Sequence, residues 1–309
     1  MKPTRTWYNR CTRIVALILC VAALLCLTAC GSASAMEQKQ IFAMDTVMTL
    51  TAYGKHAQDG LNAATSVINS MEALLDPELP TSTTYAINHA NGQNVVVNAQ
   101  IAKMLSTAKT VYDNSDGSLD LSLYPLIKLW GFVDGRYYVP LYDEISAQLK
   151  RKAFDQMVLT SYPATGSYSV NFPAGTEISF GSIGKGCAAE NAISAMRQAG
   201  VKSGIISLGG NVQTLGLKPD DSKWTVAIQD PNNTASWVGT VQVGETAVVT
   251  SGSYQRFFEL TETRITTSLI RLAVPRFPTI CSPPPSSVKT ARWQMRCPPR
   301  CLFLVKAAH

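Results

Sequence analysis

Acidic side chains are missing from both ends of this chain: none precedes Glu37 and none follows Glu262. The first 30 residues carry four Lys/Arg and residues 263–309 carry eight, so the net charge of +6 belongs to the ends. Between them 15 basic residues stand against all 21 acidic ones. An acidic body offers no broad surface for phosphodiesters, which removes the compositional case for nucleic-acid binding. Cysteine patterning is also lacking. Of eight cysteines, three lie within the first 29 residues, Cys30 follows them, three fall in the basic tail, and Cys187 is alone between. That suits neither a disulfide framework nor a zinc site. No Walker or Rossmann glycine spacing is present, and no internal repeat or linker divides the chain.

What is present begins with Lys2, Arg5, Arg10 and Arg13 ahead of the apolar run Ile14 to Leu27. Basic residues before a short apolar segment make the layout of a secretory signal, and the run is shorter than the ~20 residues a membrane span needs. It ends in Leu27-Thr28-Ala29-Cys30, which resembles a bacterial lipobox. The expectation is a lipoprotein signal over 1–29, lipid on Cys30, and a tether over 30–40 leading from the extracytoplasmic face of the cell membrane. A cleaved signal ending near Ala35 is the rival.

Alternation from Ile41 to Ala52 reads as a strand, and helical spacing over Gly60 to Leu75 and Ala99 to Ser115 predicts two packing helices. A short strand fits Gln93 to Val97, and a strand then a helix fit Arg136 to Leu149. Further strands are expected at Gln156–Leu159, Ser167–Phe172, Glu177–Phe180, Gly204–Leu208, Val212–Leu215, Thr225–Gln229, Trp237–Val243 and Thr246–Thr250. Lys185 to Gly200 reads as a helix ended by glycine. Helices clustered early and strands late predict an α+β domain of antiparallel or mixed sheets with packing helices, over 41–262.

Ser179-Phe180-Gly181-Ser182-Ile183-Gly184-Lys185-Gly186 joins a strand end, a glycine-rich turn and a helix start carrying a lysine. Amide groups at a helix N-terminus carry partial positive charge, and glycines let an anion approach the backbone. Lys185 opposes the helix dipole there, which makes sense beside an anion such as a phosphate. By itself the stretch serves a tight turn equally well.

Three further segments accompany it: Ser118 to Phe132 with its Pro125-Leu126-Ile127-Lys128-Leu129-Trp130-Gly131-Phe132 run, Leu208-Gly209-Gly210-Asn211, and Thr250-Ser251-Gly252-Ser253-Tyr254. With Met44-Asp45-Thr46, Trp224 and Asp230-Pro231, in this order, they resemble the ApbE family of bacterial FAD:protein FMN transferases from about Ile41 to Glu259. The resemblance implies a single T-fold-like domain and an enzyme that transfers FMN from FAD to a Ser or Thr of extracytoplasmic flavoproteins, releasing AMP. It implies FAD as substrate and Mg²⁺ as metal, since phosphoryl transfer needs positioning and charge neutralisation. Met44, Leu129, Trp130, Gly131 and Phe132 would line the flavin pocket, with plain core packing the other reading of the two aromatic side chains. Lys185, Thr250 and Ser251 would meet the ligand, and the Ser182 carbonyl would face the metal. Ser179 stands where the family usually has Asp; its hydroxyl supplies one acceptor and no charge. Asp120 matches a family Asp and equally suits a cap on the turn that follows.

Beyond Glu259 the family's His-Ile-x-Asp-Pro and Ala-Asp-x-Leu-x-Thr segments do not follow, so the two side-chain metal ligands and the His/Asp catalytic segment are missing. Residues 263–309 hold seven prolines and no acid, a composition unsuited to strands or helices, and the expectation is an aberrant tail. Permitted codons for Arg264 to Arg271, read from each third base, spell Tyr-Tyr-His-Ile-Leu-Asp-Pro. The same shift over Ala291 to Cys301 spells Ala-Leu-Ala-Asp-Ala-Leu-Ser-Thr-Ala-Leu. The pair points to a frameshift between about Leu260 and Arg264. A non-catalytic flavin-binding lipoprotein is the alternative function for the chain as written.

Overall fold

The computed structural model describes residues 35–151, 153–230, 233, 235–250, 257–260, 263–266 and 301–304. The expected signal, tether start and Cys30 lie outside these residues, as do Ser251 and most of the tail.

A hairpin opens the fold. Strands β1 (Met36–Ala43) and β2 (Thr46–Tyr53) pair antiparallel with Ala43 opposite Thr46, so the turn is Met44-Asp45. Both turn residues are left-handed, with φ of 49° and 58°. Two positive φ values match the right-handed twist of the flanking strands. The single strand expected over Ile41 to Ala52 is therefore two strands, and nothing local announces the break because neither turn residue is Gly or Asn.

Helix α1 (Ala57–Leu75) follows and buries Leu61, Ala64, Ile68, Met71 and Leu75, a stripe at three- and four-residue spacing. After α2 (Thr83–Asn88) and β3 (Val95–Val97) comes α3 (Ala99–Asn114), whose first turn is capped by Asn98 Oδ1 accepting from the Ile101 N–H at 2.9 Å. Helices α4 (Tyr124–Leu129) and α5 (Tyr142–Leu149) are short. Strands β4 (Val158–Tyr162) and β5 (Ser167–Asn171) join β3 in an antiparallel sheet of order β3-β5-β4. Val97 and Val170 of this sheet and Ile101 and Leu105 of α3 belong to the main core.

Helix α6 (Gly184–Gln198) leads to β6 (Ser203–Leu208), β7 (Asn211–Leu215), β8 (Trp224–Gln229), β9 (Trp237–Val243) and β10 (Ala247–Thr250). The larger sheet runs β1-β2-β6-β7-β10 with antiparallel neighbours throughout. Met48, Leu50, Ala52, Ile206 and Leu208 share one core with α1 and α6. The two helices pack closely through small residues: a Cβ on Gly60 would lie 2.3 Å from Val201 Cγ2 just beyond α6. Tyr53, Ile205 and Val212 pack instead with Trp224, Val226, Val243 and Val248, so the β8–β9 hairpin encloses a second cluster.

This is the α+β architecture that the element order implies. Two expected strands are absent: no strand forms over Arg136 to Leu141, and Glu177–Phe180 stays irregular. At the latter, the Asn88 carboxamide replaces a strand neighbour, donating to Ile178 O at 3.0 Å and accepting from Ile178 N at 2.8 Å. Composition argued against strands beyond residue 262, yet β11 (Phe257–Leu260) pairs with β12 (Thr263–Thr266), and β13 (Cys301–Leu304) joins the large sheet parallel to β10. Cys301-Leu302-Phe303-Leu304 is a proline-free apolar run, which suits an edge strand.

Candidate ligand site

Three backbone turns meet at one end of the large sheet. The Met44-Asp45 turn closes β1–β2. Gly209-Gly210 closes β6–β7, with Leu208 paired to Asn211, and both glycines have positive φ, at 57° and 85°. A Cβ on Gly209 would lie 2.5 Å from Thr46 Oγ1, so only glycine lets this turn press against the first hairpin. The end of β10 reaches the same place, where the Thr250 N–H donates to Gly210 O at 2.9 Å. The first turn of α6 completes the group: the position a Cβ would take on Gly186 is 3.6 Å from Asn211 Nδ2. Segments separated by up to some 200 residues in sequence thus converge.

The predicted site residues other than Cys30 and Ser251 lie among the described residues. Met44 is half-buried and left-handed, a conformation that costs a non-glycine residue about 1 kcal/mol and is concentrated at ligand sites. Its N–H donates to Glu72 Oε1 of α1 at 2.7 Å. Lys185 is half-buried in the opening turn of α6, whose N-cap residue, Ile183, supplies no side-chain cap. Without such a cap, the helix end keeps its attraction for an anion. Cys187 follows in the same turn, and burial first, then the charge of Glu190, pushes its thiol up to about 11, with Lys103 acting the other way.

Ser179 and Ser182 lie on the turn entering α6. Ser179 N–H donates to Leu121 O at 3.0 Å, and its Oγ accepts from Gly181 N at 3.2 Å, so its hydroxyl is engaged in forming the glycine turn. Ser182 is exposed. Among the described residues, no group of three or more His, Cys, Asp or Glu could hold a metal. The donors present, a backbone carbonyl at Ser182 and no carboxylate cluster, do not fit a hard divalent cation by themselves. Asp120 is a cap: Oδ1 accepts from Ser122 N at 2.9 Å and Ser122 Oγ at 2.7 Å.

Leu129 to Phe132 form a separate apolar cluster. Trp130 and Phe132 are buried with Leu126 and Ile145, and Phe258 of β11 packs 6.4 Å from the Trp130 ring and 5.6 Å from Phe132. Both aromatic side chains are thus packed within this cluster. Gly131, with φ 78°, is required by the fold, since a Cβ would lie 2.2 Å from Arg136 O. Lys128 pairs with Glu177, which ties this segment to the irregular stretch before Ser179. One group in the cluster is not accounted for by packing: Trp130 Nε1 is buried and has no hydrogen-bond partner. Asn211 Oδ1 at the sheet end shares that condition. Buried polar groups normally find partners, so such exceptions in two motif segments suit a ligand.

Two residues of this site escaped sequence reasoning. Glu72 carries no local signal, being 28 positions from its partner. Asn211 stood in a recognised motif but had no role.

The glycine turn entering an uncapped helix, set at the end of an antiparallel sheet beside a strained hairpin, makes a candidate anion-binding site in an α+β domain. The ApbE family model matches residues 44–270, and the chain belongs to the ApbE family. An FAD:protein FMN transferase of Klebsiella pneumoniae is 32% identical over 195 residues, 62% of this chain and 59% of that protein. One of Treponema pallidum is 30% identical over 230 residues, 69% of this chain and 64% of that protein. The chain thus spans about three fifths of the length of these curated relatives. The fold matches the crystal structure of the ApbE protein of Thermotoga maritima with a TM-score of 0.70 at 22% identity, over 75% of each chain. The apo flavinyl transferase ApbE of Pseudomonas stutzeri matches with 0.64 at 24% identity, over 75% of this chain and 73% of that one.

Proposed function

We propose that this chain binds FAD at the sheet end and descends from enzymes that move FMN from FAD to a Ser or Thr of an extracytoplasmic flavoprotein. The convergence of the Met44 turn, the Gly209-Gly210 turn, Thr250 and the start of α6 carries this reading. In the transfer, the acceptor hydroxyl oxygen bonds to the FMN phosphorus, the pyrophosphate P–O bond breaks, AMP leaves and the hydroxyl proton passes to a base. Lys185 and the α6 amides would hold the phosphates, while the rigid Met44 turn and Trp130 N–H would orient the flavin.

Mg²⁺ would supply charge neutralisation in the transfer. The described donors do not fit it. The missing His-Ile-x-Asp-Pro and Ala-Asp-x-Leu-x-Thr segments favour a second reading, a flavin-binding lipoprotein without catalysis. AMP release from FAD with Mg²⁺ and an acceptor protein separates the two; binding without release selects the second. Lipid on Cys30 would anchor either form at the extracytoplasmic face of the membrane, and loss of fatty-acid labelling in Cys30→Ser tests the anchor.

A further inference from the structure

Asn211 begins β7 with its backbone fixed on both sides, opposite Leu208 of β6 and Val249 of β10. Only 9% of the residue is exposed. Its amide nitrogen lies against Gly186 in the first turn of α6, while Oδ1 is buried and has no partner. A buried acceptor left unpaired is costly. This acceptor beside the α6 N-terminus therefore calls for a donor.

Resting on the FAD reading above, we infer that Asn211 is a ligand residue of this site. Its Oδ1 accepts a hydrogen bond from a hydroxyl on the polyol carbons next to the bound phosphate. Phosphate oxygens are themselves acceptors and cannot satisfy Oδ1. Hydroxyls a few bonds from the phosphate can, and FAD has them on both sides: the ribityl chain of the FMN half and the ribose of the AMP half. A neutral carboxamide also suits this place better than a carboxylate, whose charge would oppose the phosphate.

The test uses the full chain with Asn211→Leu and Asn211→Asp, measuring thermal unfolding without ligand and equilibrium binding of FAD, FMN and AMP. Asn211→Leu removes an unpaired acceptor, so Tm should hold or rise while FAD binds about tenfold more weakly. Asn211→Asp should weaken FAD at least as much, and most at low ionic strength. Weakening of FMN alone places the hydroxyl on the ribityl chain; weakening of AMP alone places it on the ribose. Unchanged FAD affinity in both variants, whether or not Tm falls, overturns the inference and leaves the FAD reading standing. Failure of the unsubstituted chain to bind FAD overturns both.

Discussion

The Met44 N–H donates to Glu72 Oε1 at 2.7 Å, and this bond holds a non-glycine residue in the left-handed conformation at the tip of the first hairpin. A hydrogen bond to a charged acceptor contributes roughly 1.5–3 kcal/mol, enough to offset the strain of one such residue. Helix α1 thereby sets the geometry of a turn at the ligand site. Glu72→Ala should lower stability by about 1–2 kcal/mol and weaken FAD binding. Adding Met44→Gly should recover part of the stability by removing the strain, and urea unfolding of the single and double variants checks this. No recovery would mean that the turn is not strained.

Cys187 sits in the first turn of a helix, where a thiol is ordinarily activated, yet burial and Glu190 push it up to about 11. The thiol should therefore resist iodoacetamide at pH 8 in the folded protein and react only after denaturation. Mass spectrometry of the Cys187 peptide reads this directly. The linkage sign follows. Because the folded pKa lies above the unfolded one, this group's contribution to stability is present below about pH 9 and declines as pH rises toward 11. Cys187→Ala should flatten that decline.

Much of the fold could be read because its signals are local. Leu61, Ala64, Ile68 and Met71 repeat at helical spacing, and Ile206 and Leu208 alternate in a strand. What could not be read depends on partners far away in sequence. Met44-Asp45 breaks a strand with neither Gly nor Asn at the turn, where Glu72 bonds the Met44 N–H, and Asn88 occupies the hydrogen bonds of Ile178 that a strand neighbour would have used. The candidate site divides the same way. The glycine turn before Lys185 is recognisable from its residues, whereas Asn211 gains significance only when β6, β10 and α6 surround it.

Gly131 tests whether the Trp130–Phe132 segment is held by backbone geometry. At φ 78°, with Arg136 O 2.2 Å from where a Cβ would stand, Gly131→Ala must move backbone rather than a flexible side chain. A loss of about 2 kcal/mol or more is expected in chemical denaturation, with quenching of Trp130 altered as its cluster with Phe132 and Phe258 loosens. A loss under about 0.5 kcal/mol would show that the turn adapts.

Two segments that the family resemblance leads one to expect beyond Glu259 are missing, and this makes a prediction about the gene. Permitted codons let both missing segments be spelled in order from one shifted frame, a coincidence not expected of an ordinary divergent tail. Sequencing across the codons for Glu259 to Leu304 should find that a one- or two-base change near Leu260 to Arg264 restores His-Ile-Leu-Asp-Pro and Ala-Asp-Ala-Leu-Ser-Thr. On the proposed transferase reading, the corrected protein should release AMP from FAD in the presence of Mg²⁺, while the chain as written should release at least 100-fold less, since the restored segments would carry the side chains that hold the metal. If the codons in the shifted frame spell neither segment, the frameshift is excluded and the tail is this chain's own.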